Sequence, residues 1–145
     1  MAFSTGCFDR VFFVRWTSSP AVAELEAVGA ALAREQQRSK TPLSYLTIVP
    51  PDAPVPSAEE RKALDAFARR IKPTIEHAYL VIEGDGFKAS IQRSVIIGLT
   101  FWKERGYTSI FKTVDEALGR IAARTGADLA TLSAAARGHG LISAR

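Results

Sequence analysis

The sequence predicts one α/β domain built on a mostly parallel β-sheet with helices on both faces. Three observations carry this expectation. Runs rich in β-branched and aromatic residues recur along the chain, at Val11–Trp16, Leu43–Val49, His77–Glu83 and Thr108–Phe111. Between them lie stretches of roughly 10–15 residues with apolar positions three or four apart, long enough for the crossovers that parallel strands require. The 145 residues, 47% apolar and 23% charged, suffice for a hydrophobic core without disulfides or metal ions.

Phe3–Phe8 reads as a short strand ahead of the largely buried Val11–Trp16, with Asp9-Arg10 as a tight turn lacking the usual Asn-Gly chemistry. Ser19-Pro20 supplies a cap and a first-turn proline for a helix whose apolar face is Val22, Leu25, Val28 and Leu32, fading in the polar run Gln36 to Lys40. Leu43–Val49 is a second long strand. The segment Pro50 to Pro56 holds four prolines, which remove donors and fix the backbone, so it reads as an extended surface loop. Ser57-Ala58-Glu59-Glu60 is a capping box opening a helix that buries Leu64, Phe67 and Ile71 and stops at Pro73. His77–Glu83 is a strand ended by Gly84-Asp85-Gly86. A helix from about Lys88 to Lys103 and a short strand, Thr108–Phe111, follow. Thr113-Val114-Asp115-Glu116 reads as a second capping box, before a helix burying Val114, Ala117, Leu118 and Ile121. Asp128 caps a last helix through Arg137, ended by Gly138-His139-Gly140 and followed by a loose tail.

Cys7 is the one cysteine, which rules out an internal disulfide and favours a reducing compartment; a cytoplasmic location is expected. The N-terminus lacks a charged region followed by an apolar run, so no secretory signal is expected, and no stretch reaches the ~20 apolar residues of a spanning helix. The net charge of +4 is spread among acids, as in Glu24, Glu26, Arg34, Glu35 and Arg38. Binding to a phosphate backbone needs a concentrated patch, and docking to an anionic membrane a basic amphipathic helix; neither is visible.

The order strand, strand, helix, strand, helix, strand, helix, strand, helix resembles the SpoIIAA-like members of the STAS superfamily, bacterial relatives of anti-sigma-factor antagonists. The most specific match is Ile110-Phe111-Lys112-Thr113-Val114-Asp115-Glu116-Ala117-Leu118, similar to the short strand, turn and terminal helix of that family. Ala78-Tyr79-Leu80-Val81-Ile82-Glu83-Gly84 resembles its preceding core strand. The resemblance covers most of residues 3–123, with residues 124–145 adding a helix and tail to the same domain. It implies a mixed, mostly parallel sheet of four to five strands covered by four to five helices. It also implies no cofactor, and recognition of a protein partner, controlled in some members by serine phosphorylation. The family's Asp-Ser-Ser-Gly is absent; by chain order its place falls in Pro50 to Glu60, where Ser57 is the only hydroxyl. Ser57 is thus the candidate phosphoacceptor, and a plain N-cap is its simpler role.

Gly84-Asp85-Gly86-Phe87-Lys88-Ala89 matches a dinucleotide fingerprint between a strand and a helix. A dinucleotide site also wants an acid at the end of the next strand, where this chain has Lys112 and Thr113. A weaker anion site at Gly84, Gly86 and Lys88 survives. Glu83 and Asp85 fall at the carboxyl end of a strand, where open sheets hold ligands, although a solvated turn also explains them. The two histidines, His77 and His139, show no ligand spacing with Cys7, and His77 is expected half exposed. In the helix after the glycines, Ile91, Val95, Gly98, Leu99 and Trp102 share one face, while Ile97 and Phe101, flanked by Ser90 and Ser94, point elsewhere. Those four residues are the candidate partner or homodimer surface, unless the last helix covers Ile97 and Phe101. The functional expectation is a non-enzymatic regulatory or scaffold domain that binds a protein. The alternative is a small-ligand, anion or nucleotide-binding protein, or an enzyme, using the Gly84–Lys88 turn.

Overall fold

The computed structural model describes residues 3–17, 22–50, 57–83 and 108–142. Its elements are strands β1 (Phe3–Phe8) and β2 (Val11–Trp16), helix α1 (Val22–Ser39), β3 (Leu43–Val49), α2 (Ala58–Ile71), a 3₁₀ turn at Lys72–Thr74 and β4 (Ile75–Ile82). After the undescribed segment come β5 (Thr108–Phe111), α3 (Val114–Thr125) and α4 (Leu129–Gly138). The five strands form one sheet in chain order, with β1 antiparallel to β2 and every later neighbour parallel.

Asp9 and Arg10 make the β1–β2 turn, with φ of 45° and 62°. Two left-handed residues in a two-residue loop match the right-handed twist of the strands they join. Aspartate tolerates that conformation; arginine carries strain there. Opposite this turn's second strand, Gly6 faces Phe13 in register, and a Cβ on Gly6 would lie 2.6 Å from the Phe13 ring. Only a glycine lets that ring lie flat on the neighbouring strand.

Alternation along the strands sorts the core into two layers. Phe12, Val14, Trp16, Leu43, Tyr45 and Ala78 face α1 and α2, meeting Leu25, Val28, Leu32, Phe67, Ala68 and Ile71. Val11, Phe13, Leu46, Ile48, Tyr79 and Val81 face α3 and α4, meeting Val114, Ala117, Leu118, Ile121, Leu132 and Ala136. Consecutive β–α–β crossovers of one hand that step in one direction put α1 and α2 on the same side.

Four expectations need correction. Val22 is 60% exposed, because the face of α1 that is buried runs through Leu25, Val28 and Leu32. α2 ends at Ile71 ahead of Pro73, as expected, but after a 3₁₀ turn the chain enters β4 at Ile75, two residues early. Thr113 forms only half a capping box. Its hydroxyl accepts from the Glu116 amide at 3.1 Å, but the Glu116 carboxylate takes the Thr113 hydroxyl, at 3.3 Å, in place of the backbone amide. As far as Ile142, the tail after α4 is not loose. Gly140, at φ 74°, donates to the Arg137 carbonyl and Leu141 donates to Ala136, a Schellman closure that drops Leu141 into the core.

Candidate functional site

Where a helix follows a parallel strand, its N-terminus lies at the strand's carboxyl end, so α2 and α3 both begin at one end of the sheet. At that end, on the α3 side, a cleft of about 260 Å³ is lined by Arg15, Glu83, Thr113, Val114, Asp115, Gly140, Leu141 and Ile142. It gathers the ends of β2, β4 and β5 with the tail beyond α4. Glu83 continues the sheet past β4, its amide donating to the Val49 carbonyl at 3.1 Å. Arg15 donates to the carbonyls of Gly140 at 3.2 Å and Leu141 at 3.4 Å, and its other terminal nitrogen lies 3.7 Å from the Glu83 carboxylate. Arg15, the one cation among the described residues that line the cleft, is therefore already engaged, partly by the chain's own tail. Glu83 and Asp115 add two carboxylates to the lining.

Among the sequence-derived candidates, Glu83 sits in this cleft. Ser57 lies at the same end of the sheet but on the opposite face. It is exposed and caps α2, its hydroxyl accepting from the Glu60 amide at 3.2 Å while the Glu60 carboxylate accepts the Ser57 amide at 2.9 Å. Gly84, Asp85, Gly86, Lys88, Ser90, Ser94, Ile97 and Phe101 lie outside the described residues. Arg15, Thr113 and Asp115 escaped sequence reasoning. The available signal was Arg15 itself, a charge inside the otherwise apolar run Val11–Trp16.

A second polar group lies inside the α3 face. Leu43 pairs with Ile75 but Ser44 pairs with His77, so Glu76 is an extra residue in β4, a bulge that is uncommon between parallel strands. It turns Glu76 toward the Ser44 hydroxyl (3.5 Å) and Arg124 of α3 (3.1 Å). His77, expected half exposed, is buried: its Nε2 lies 3.0 Å from the Ser109 hydroxyl and its ring 4.7 Å from that of Tyr79. The Tyr79 hydroxyl is buried and has no hydrogen-bond partner among the described residues. Burial, aided by the Glu76 charge and opposed by Arg124 and Arg120, pushes the Tyr79 phenol up to about 12. A neutral phenol sealed beneath α3 is a structural group, closed to a substrate.

Burial, and then the Glu35 charge, push the Cys7 thiol up, which disfavours its thiolate. Among the described residues, no group of three or more His, Cys, Asp or Glu side chains is placed to hold a metal ion, and no helix is long and apolar enough to cross a membrane.

Compared with known proteins, the chain matches no family model and no curated sequence.

Proposed function

We propose that this chain is a STAS-like, SpoIIAA-like domain that works by binding a protein partner and performs no chemistry of its own. The observation that carries the reading is the state of the polar groups at the ligand-binding end of the sheet: Arg15 is bonded to the tail and to Glu83, and Ser57 is consumed in a capping box. Groups tied to one another hold a surface in shape; a reaction needs groups aimed at an open space. The antiparallel hairpin leading three parallel strands, with a threonine-capped helix after the last, supports the same family reading.

Ser57 is the regulatory position in this proposal. A phosphate on its hydroxyl would meet the amides and dipole of α2, but also Glu59 and Glu60 in the first turn. Repulsion from those carboxylates makes modification a loosening signal for the start of α2. The test is affinity capture from the native cell extract with wild type and Ser57→Asp as baits, followed by titration of the purified partner. A partner held by wild type and released by Ser57→Asp supports the reading. Equal capture by both removes the phosphate control, and no specific partner removes the reading itself.

The carboxyl-end cleft favours a second reading, a small-ligand or anion site reached by displacing the tail from Arg15. Thermal shift against nucleotides and inorganic phosphate tests it, since a ligand at ~100 times its dissociation constant adds about 2.7 kcal/mol of stability. Unchanged melting in every case excludes those ligands.

A further inference from the structure

The open edge of β1 belongs to no described strand: β2 pairs with one side of it, and nothing described pairs with the other. Edge strands in soluble proteins are usually blunted by charge, proline, a bulge or a cover, because their free amides and carbonyls template pairing with another chain. Phe3-Ser4-Thr5-Gly6-Cys7-Phe8 has no charge and no proline, and it pairs with β2 without a register break.

The turn chemistry tells which backbone groups are free. A two-residue hairpin loop closes on a mutually hydrogen-bonded pair, here Phe8 and Val11, and such pairs alternate along the ladder. Phe8, Gly6 and Ser4 therefore spend their amides and carbonyls on β2. Phe3, Thr5 and Cys7 direct theirs outward. The side chains of those three residues lie on the α1 face, beside Trp16, Val14 and Phe12. Thr5 is nevertheless exposed, while Phe3 and Cys7 on either side of it are partly buried.

From these observations we propose that β1 pairs with β1 of a second copy of this chain, antiparallel about a two-fold axis through Thr5, to make one continuous ten-stranded sheet. A two-fold axis makes edge-to-edge pairing antiparallel, which extends the antiparallel end of the sheet. Of the symmetric registers, the one centred on Thr5 alone engages all three outward-facing residues on each copy: Thr5 opposite Thr5, and Phe3 opposite Cys7 in both directions. It forms six inter-chain hydrogen bonds. On the other face it sets Ser4 against Gly6, a small pair for the closer non-bonded positions. An uncharged strand meets itself without repulsion, although the chain as a whole carries +4. Pairing over six residues falls at the small end of specific interfaces, below about 1,200 Å² of total buried surface, so the association is weak and reversible. This contact is independent of the partner-binding reading and of Ile97 and Phe101.

Sedimentation equilibrium of the purified chain from about 10 µM to about 1 mM brackets the dissociation constants of such small interfaces. The expected result is a mass rising toward twice the monomer for wild type and staying at the monomer for Thr5→Lys, which places like charges directly opposite each other. Circular dichroism and melting temperature check that the variant is folded. A second arm attaches a nitroxide at Thr5→Cys in a Cys7→Ser background. Dipolar broadening that grows with concentration is expected there, and none for a label at Lys62→Cys on the exposed side of α2. A wild-type monomer at every concentration overturns the proposal. So does a dimer that Thr5→Lys leaves intact, which would place the contact elsewhere. Should Thr5→Lys fail to fold, the labels decide: no broadening at position 5 overturns it.

Discussion

The two faces of the sheet bury similar amounts of aliphatic and aromatic side chain but treat their polar groups differently. Under α1 and α2, Trp16 donates through its indole nitrogen to the Thr47 hydroxyl at 3.1 Å, and the Tyr45 hydroxyl also bonds to Thr47. Under α3 and α4, the matching phenol of Tyr79 is orphaned among the described residues, next to a bulge, a buried histidine and the Glu76–Arg124 pair. Among the described residues, the first face leaves no buried side-chain polar group unpaired, whereas the second holds the orphaned phenol and opens at its carboxyl end into the cleft. Among the described residues, these irregularities gather on the side of α3.

Paired truncations are the strongest way to break this comparison. Leu32 and Leu118 are fully buried on opposite faces, and Leu→Ala at such sites costs ~2–5 kcal/mol, so denaturant unfolding should show comparable losses for both. A loss below about 1 kcal/mol for Leu118→Ala would mean that the α3 layer is less tightly packed than the α1 layer. Removing the two hydroxyls should separate the faces. Tyr45→Phe deletes a satisfied bond and is expected to cost about 1 kcal/mol, whereas Tyr79→Phe relieves an unsatisfied one and should be neutral or stabilising. Equal losses would show that the Tyr79 hydroxyl has a partner.

Alkaline titration acts on both faces, because burial pushes the Tyr45 phenol up as well as that of Tyr79. The unfolded chain ionises tyrosine near pH 10, ahead of the folded Tyr79 near 12, so proton release favours unfolding across that interval. The stability from the neutral phenol is intact below pH 10 and drains away between pH 10 and about 12. Tyr79→Phe should remove its own share of that decline in urea midpoint against pH and leave the share due to Tyr45. The smallest effect concerns the cleft. Arg15→Ala should change global stability by less than about 1 kcal/mol, as expected for a partly exposed ion pair, yet speed hydrogen exchange at the Leu141 amide. Unchanged exchange at Leu141 would show that the Schellman closure holds the tail without Arg15.

Four strands, β1, β2, β3 and β5, were legible to the residue, because their β-branched and aromatic runs end at turn or cap residues. The buried face of α3 was legible too, since Val114, Ala117, Leu118 and Ile121 keep helical spacing against one surface. The start of β4 was not, because a bulge breaks the two-residue period that alternation relies on, and the same bulge hid the burial of His77. Nor was the tail, whose order depends on a left-handed glycine and on an arginine 125 residues away. Of the candidate site, Glu83 could be placed from its position after a strand. The cleft as a whole could not, because residues 15, 83, 113 and 140 meet only through the topology of the sheet.

The strand order also bears on how the molecule assembles. Each strand after the first pairs with the one immediately before it in the chain, so every addition closes a loop onto an edge already in place. The β1–β2 hairpin, closed by two residues, is the most local step and the natural nucleus, and each later strand arrives behind one crossover. During synthesis the sheet can grow in the direction of translation. Leu141, which follows α4, then seats itself in the second core layer.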